Sequence, residues 1–193
     1  RAAAALRLEA RWRALGEAQG APGGWACAAE ALPALERAVN GAPENAALWL
    51  LLAEARLQRD LPQGAVEAAG EALGRLGEGP GTAANARLEG RARYVRGLGH
   101  WRLGQPALAE ADLDAALREG PAESAAPDEE RVRRLRARGA VRLLRRNVDG
   151  MCEDLSAACA LGDCEGLAVA RGRGHCRAGA GASGTSGAFG GAP

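Results

Sequence analysis

The amino-acid sequence predicts an all-α fold, and composition is the first reason. Among the 193 residues, Ala occurs 47 times and all 25 basic residues are Arg. Ala, Leu, Arg and Glu are good helix formers. Strands need β-branched and aromatic side chains, yet the chain has no Ile, nine Val and Thr together, one Phe and one Tyr. The composition therefore disfavours a sandwich, a barrel or a doubly wound sheet.

Glycine and proline divide the chain into segments of helix length, which is the second reason. We predict helices over residues 3–18, 26–40, 45–59, 61–76, 83–103, 106–118, 128–146, 149–161 and 164–172. The links between these segments are short, so successive helices should fold back on one another as antiparallel hairpins.

Several helix starts have a local explanation. Pro62 and Pro106 stand at the first helical position, where a missing N–H removes no hydrogen bond. Asp60, Asp149 and Asp163 precede helical runs. We expect their carboxylates to accept hydrogen bonds from the free N–H groups of the first turn.

A recurring pattern of small residues joins the helices into units, which is the third reason. The first helices of the pairs carry Gly16, Ala53, Gly97 and Gly139. The second helices carry Ala38, Ala72, Ala116 and Ala158. Small side chains here allow close helix packing. The pattern resembles that of the tetratricopeptide repeat family, whose helix-turn-helix unit has about 34 residues. The resemblance implies an α-solenoid of about four antiparallel helix-turn-helix repeats plus a capping helix.

The resemblance divides the chain into a repeat domain over residues 1–177 and a Gly/Ala-rich tail over 178–193. The repeats cover about 1–43, 44–80, 83–121 and 128–162, and a cap covers 163–177. Successive units lie 34, 44 and 42 residues apart, which predicts insertions near 78–86 and 122–130. Pro33 should kink or shorten the helix at 26–40. The tail has one large apolar side chain and should be flexible. A generic Ala-rich helical bundle is the alternative fold.

Overall charge and hydropathy give no sign of a nucleic-acid or membrane-binding protein. The formal net charge is +1, so nucleic acid is not an expected partner. No stretch is apolar for 18 residues, so we predict no membrane span in this chain. The chain begins with Arg1 rather than Met, which predicts a processed or trimmed terminus.

Four of the five cysteines lie in the last predicted hairpin. Cys152 and Cys159 are two helical turns apart, so they cannot bond to each other. The hairpin returns Cys164 near Cys159, and Cys176 near Cys152, which predicts two nested disulfides. Four cysteines allow three pairings, and a zinc site or reduced, buried cysteines are the alternatives. The fifth cysteine, Cys27, is most simply a core residue.

Residues that could carry catalysis are scarce. The chain has two histidines, His100 and His175, and four serines, none in a nucleophile motif. The carboxylate neighbours Asp112 and Asp114 should be solvated on a helix surface. We therefore expect no enzyme, no cofactor, no metal and no small-molecule substrate.

The segment 131–146 holds eight Arg and no acidic residue. Its simplest interpretation is a solvated helix face, and the alternative is an anion or nucleic-acid site. The family resemblance implies a third role, because particular positions of each first helix line the concave surface. In repeat two these are Ala47, Leu50, Glu54 and Leu57. In repeat three they are Arg91, Tyr94, Leu98 and Trp101. In repeat four they are Arg133, Arg136, Ala140 and Leu143.

Aromatic side chains and guanidinium groups would then share one groove. Tyr and Trp provide apolar anchors, and Arg binds carboxylates through two parallel hydrogen bonds. We expect a non-catalytic scaffold that binds a protein or peptide segment, with an acidic one favoured. The alternative is a structural component of the cell envelope. The disulfides favour the periplasm or envelope of a bacterium, and reduced cysteines would instead indicate the cytoplasm.

Overall fold

The computed structural model describes residues 31–79, 81–118 and 128–176. Over these ranges the secondary structure is helical, so the predicted all-α class is confirmed. The eight helices are α1 (Ala31–Gly41), α2 (Ala46–Gln58), α3 (Pro62–Gly77), α4 (Ala83–Arg102), α5 (Pro106–Leu117), α6 (Asp128–Leu144), α7 (Val148–Ala160) and α8 (Glu165–Gly172).

Each helix packs against the next one along the chain, from α1 to α8. The first helices of the pairs also touch one another, because α2 contacts α4 and α4 contacts α6. One layer therefore consists of α2, α4 and α6, while the second helices lie outside it. Hairpins stacked in this way form an α-solenoid, as predicted.

The observed pairs α2–α3, α4–α5 and α6–α7 fall within the segments predicted as repeats two to four, and α8 falls within the predicted cap. The predicted helix at 3–18, the effect of Pro33 on residues 26–30, and the tail at 178–193 lie outside the described residues. Most of the insertion predicted at 122–130 does too.

The predicted aspartate caps are wrong. Asn45 caps the N-terminus of α2, and its side-chain oxygen accepts from the N–H groups of Ala47 and Leu48 at 3.0 and 3.3 Å. Thr82 caps α4 and Asn147 caps α7, each with a side-chain oxygen that accepts from a first-turn N–H group. Pro62 and Pro106 do occupy first-turn positions, and the residues before them make no side-chain cap.

Asp60 is not a cap because it occupies the left-handed backbone region, with φ of 57°. Gly104 and Arg146 occupy the equivalent places after α4 and α6, with φ of 71° and 62°. This conformation ends a helix and favours glycine, although Asp tolerates it better than most residues. Asp149 lies within the first turn of α7, and Asp163 bonds to an arginine of α6.

Small residues lie where the helices approach most closely, as the repeat pattern predicted. A Cβ on Gly97 would lie 3.1 Å from Leu113 Cγ in α5, and one on Gly139 would lie 3.4 Å from Asp154 Cβ in α7. Ala53 of α2 is completely buried against the neighbouring helices. Close packing of this kind fixes the angle between paired helices and so positions the inner layer.

Candidate functional site

A groove of about 790 Å³ lies between the inner helices α4 and α6. The turn between α7 and α8 forms its third wall. The lining residues are Tyr94, Leu98, Trp101, Asp128, Glu129, Val132, Arg133, Arg136, Ala137, Ala140, Leu161, Gly162 and Asp163.

The local sequence explains why these side chains share the groove. Tyr94, Leu98 and Trp101 follow the spacing i, i+4, i+7, which places them along one face of α4. Arg133, Arg136 and Ala140 follow the spacing i, i+3, i+7 on α6. The two faces therefore run along the groove from opposite sides.

Five of the six predicted partner-binding residues line this groove, namely Tyr94, Leu98, Trp101, Arg133 and Arg136. The sixth, Arg91, does not. Its Nη2 atom donates to Glu54 Oε1 at 2.6 Å and joins α4 to α2. Whether a partner uses the five remains a prediction.

The wall expected from α2 is absent from the groove. Leu50 and Leu57 are 2% and 7% exposed, and they belong to the hydrophobic core around α2 and α3. Burial of a leucine side chain stabilises the fold by about 1.5–3 kcal/mol, so these positions serve packing. Leu143 of α6 is 43% exposed but does not line the groove.

Sequence reasoning missed the third wall, formed by Leu161, Gly162 and Asp163. The sequence predicts only that these three residues reverse the chain. The packing of this turn against α6 depends on the angle between the helices. The Asp163 Oδ2 atom accepts from Arg136 Nη1 at 3.0 Å, which links the turn to α6 across the groove rim.

The charges in the groove nearly cancel. Among the residues that the structure describes, its lining holds two arginines against three carboxylates. Arg136 is paired with Asp163, while Arg133 has no ion pair within the part of the chain that the structure describes. Burial raises the pKa of the Tyr94 hydroxyl, and the nearby charges of Arg133 and Arg134 oppose this. Tyr94 is therefore neutral at pH 7 and can donate a hydrogen bond.

The arginine run does not form the expected solvated face. Six of its eight arginines make ion pairs with described carboxylates. Arg138 Nε donates to both carboxylate oxygens of Asp154 at 3.1 Å, and its Nη1 donates to Asp114 at 2.7 Å. Arg142 reaches Glu110 at 3.1 Å as well as Asp154 at 3.2 Å. The run thus binds α6 to α5 and α7.

An arginine–aspartate pair recurs at equivalent places in two successive units. Arg96 donates to Asp112 through Nε and Nη2 at 2.8 and 2.6 Å. Arg138 and Asp154 repeat this pairing 42 residues later. Asp112 is 7% exposed and Asp154 is 1% exposed, so the predicted solvated position of Asp112 is wrong. The sequence did hold a sign of this pairing, because an arginine precedes an aspartate by sixteen residues in both units.

Repeat two has an apolar pair at the same places, Leu52 and Ala68, and both are 1% exposed. The solenoid therefore joins its paired helices in two chemically different ways. Hydrophobic contact joins α2 to α3, while buried ion pairs supplement the packing from α4 to α7.

The cysteines meet in the predicted nested pairs. Cys152 is bonded to Cys176, with their Cα atoms 5.1 Å apart, and Cys159 is bonded to Cys164, with 4.0 Å between Cα atoms. Cys27 lies outside the described residues. Within those residues, no group of three or more His, Cys, Asp or Glu side chains is arranged to hold a metal ion.

Among the helices that the structure describes, none combines the length and apolar character needed to cross a bilayer. No protein-family model matches the chain, and no curated protein matches it. Among solved structures, the chain is similar to a thermophilic TPR protein of Thermus thermophilus. The two share 19% identity over 87% of this chain and 96% of that chain, with a TM-score of 0.39. The tetratricopeptide interpretation therefore rests on the repeat residues and helix order described above.

Proposed function

We propose that the protein is a non-catalytic scaffold that binds a segment of another protein in the groove between α4 and α6. One observation carries this proposal. Tyr94, Leu98 and Trp101 form a continuous apolar strip beside Arg133, and Trp101 is 36% exposed. An open aromatic strip held on rigid helices is typical of a site that anchors a partner's side chains.

The charge balance of the groove favours a mainly apolar segment with one carboxylate. The strip receives the apolar side chains, and the guanidinium of Arg133, which has no ion pair among the described residues, binds the carboxylate. Asp128, Glu129 and Asp163 would repel a run of acidic residues, so the strongly acidic partner is the less favoured ligand.

The proposal that the site is non-catalytic is supported by the environment of His100. The ring Nδ1 atom lies 2.7 Å from Gln105 Oε1, and Nε2 lies 3.8 Å from Asp112 Oδ2. Both nitrogens thus face neighbours outside the groove, since Gln105 immediately precedes α5 and Asp112 lies within it.

The nucleic-acid alternative receives little support from the arginine run. Most of its guanidinium groups already neutralise carboxylates of α5, α7 or α6 itself. Phosphate binding would have to break these pairs. Such binding would appear as retention on heparin that falls with salt, and we expect none at physiological ionic strength.

The groove is tested with a random peptide library displayed on phage and selected against the whole chain. A selected peptide should bind the Trp101→Ala and Tyr94→Ala variants at least about ten-fold more weakly, since truncated anchors cost about 2 kcal/mol or more. Arg133→Ala should lower affinity only for peptides that carry a carboxylate. Leu144→Ala is the matched control, because Leu144 is 62% exposed and does not line the groove. A selected peptide that binds all four variants as tightly as it binds the wild type would contradict the proposal.

We also propose that the protein works in an oxidising compartment, such as a bacterial periplasm or cell envelope. The two nested cysteine pairs support this, because disulfides persist in such compartments. The test is intact mass after denaturing alkylation of protein from its native source. One cysteine should react without reductant, and five should react with it. Alkylation of four or five cysteines without reductant would refute the proposal that the protein works in an oxidising compartment.

A further inference from the structure

The bond between Cys159 and Cys164 closes the turn that forms the third wall of the groove. Cys159 lies in the last turn of α7, and Cys164 immediately precedes α8. The residues between them include Leu161, Gly162 and Asp163, all of which line the groove. We propose that this disulfide is a redox-sensitive control of the groove, distinct in role from the bond between Cys152 and Cys176.

The closed turn is held in one geometry by a small set of contacts. The N–H groups of Gly162 and Asp163 donate to carbonyls at the end of α7, at 3.0 Å each. Gly162 adopts a φ of 100°. These contacts orient Asp163 toward Arg136, where the two side chains are 3.0 Å apart. The disulfide fixes both ends of this short turn, so it favours the geometry in which Asp163 meets Arg136.

The two bonds of the hairpin have different roles. Leu167 and Ala170 of α8 are buried against α7, and Cys176 is bonded to Cys152 beyond the far end of α8. These features hold α8 in place when the turn opens. Cys164 is exposed, whereas Cys152 and Cys176 are partly buried. A thiol therefore reaches the turn bond more readily.

The chemistry is thiol–disulfide exchange with a dithiol protein or small molecule. A thiolate of the dithiol attacks Sγ of Cys164, the bond to Cys159 breaks, and Cys159 leaves as a thiolate that takes a proton. The second thiol of the reductant then releases Cys164 and forms the reductant's own disulfide. Two electrons pass to the protein, and a disulfide oxidant reverses the reaction.

Reduction changes the groove in two ways. The turn gains conformational freedom, so Leu161 no longer forms a fixed wall, and Asp163 separates from Arg136. The consequence for binding rests on the proposed function. A ligand that needs the preformed wall should bind about ten-fold more weakly to the reduced groove, because the turn must be ordered again.

The experiment compares Cys159→Ser/Cys164→Ser with the matched control Cys152→Ser/Cys176→Ser in the full chain. Two readouts need no ligand. One is amide hydrogen exchange over residues 161–166, and the other is modification of Arg136 by a dicarbonyl reagent, normalised to Arg133. The first double variant should show about ten-fold faster exchange and greater Arg136 modification, and the control should show neither. Asp163→Asn should raise Arg136 modification while exchange stays slow.

Two results would overturn the proposal. One is unchanged exchange and unchanged Arg136 modification when the turn bond is absent. The other is faster exchange spread evenly over α7 and α8, since the bond would then be a general staple. If the double variant does not fold, wild-type protein reduced at the turn by a dithiol and then alkylated gives the same comparison. A failure of peptide selection would refute groove binding while these readouts still decide the switch. A selected peptide with equal affinity for oxidised and reduced protein would refute control of the groove.

Discussion

Replacing the ion pair of repeat three with the apolar pair of repeat two tests how these units are held together. The perturbation is Arg96→Leu and Asp112→Ala, singly and together, which copies Leu52 and Ala68. In the wild type the guanidinium of Arg96 donates to both carboxylate oxygens of Asp112. If the pairs are interchangeable packing solutions, the double variant should keep the fold that each single variant damages.

The magnitudes follow from which charge is left without a partner. Asp112→Ala leaves Arg96, whose side chain is 31% exposed and can recover water, so we expect a loss of about 2 kcal/mol. Arg96→Leu leaves the Asp112 side chain, which is only 10% exposed, so about 3–4 kcal/mol should be lost. The double variant should lie within about 1 kcal/mol of wild type, because a buried ion pair is often no more stabilising than an apolar pair.

The assay is urea unfolding of the full, disulfide-bonded chain, followed by far-UV circular dichroism. The pair Glu89–Arg93 within α4 is the control. Its carboxylate is 40% exposed, against 10% for that of Asp112, so Glu89→Ala should cost no more than about 0.5 kcal/mol. A double variant as unstable as its two single variants combined would refute the reasoning. The residues would then stabilise the protein independently, and the equivalence to repeat two would be wrong.

Three further perturbations test separate features. Arg146→Gly should raise stability by about 0.5–1 kcal/mol, because residue 146 has a φ of 62°, and a lower melting temperature would contradict this. Gly70→Ala should stabilise α3 by about 1 kcal/mol, since a Cβ there meets nothing within 4 Å. Gly99→Ala should instead destabilise the protein by about 1–3 kcal/mol, since its Cβ would lie 2.6 Å from a Val66 methyl group. Burial alone would raise the pKa of Glu110. The hydrogen bonds from Arg145, in the turn after α6, and from Arg142 of α6 outweigh burial, so the pKa is lowered. A lowered folded-state pKa contributes stability above about pH 4.5 that is lost as pH falls through the folded value. The stability difference between wild type and Glu110→Gln, measured by unfolding from pH 7 to pH 3, should therefore narrow in acid, and a constant difference would be evidence against the ion pairs of Glu110.

The helices could be predicted because their signals are local. The segment predicted at 61–76 is observed as Pro62–Gly77, since a proline starts it and Ala and Leu continue it. The caps could not be assigned as reliably, because several polar residues stand at each junction and only the backbone decides among them. Asp60 precedes a helix in the sequence, yet it belongs to the left-handed end of the helix before it.

The parts of the groove that lie on a single helix face could be predicted from the sequence. Helical spacing alone brings together Tyr94, Leu98 and Trp101. The pairing of the arginine run was not predictable, because the acids that its guanidinium groups meet lie 3 to 35 residues away in the sequence. Arg91 and Arg133 occupy equivalent sequence positions, yet one meets Glu54 and the other faces the groove. Such choices depend on how the helices pack, which composition and spacing do not specify.

The nesting of the two cysteine bonds gives the chain a mechanical property. Tension applied beyond residue 176 passes through the Cys176–Cys152 bond directly into the first half of α7. The covalent loop between these cysteines, which are 24 residues apart and enclose α8 and the turn that walls the groove, carries none of that load. The protein can therefore be pulled from this end while the turn that walls the groove keeps its shape, until the first half of α7 itself yields.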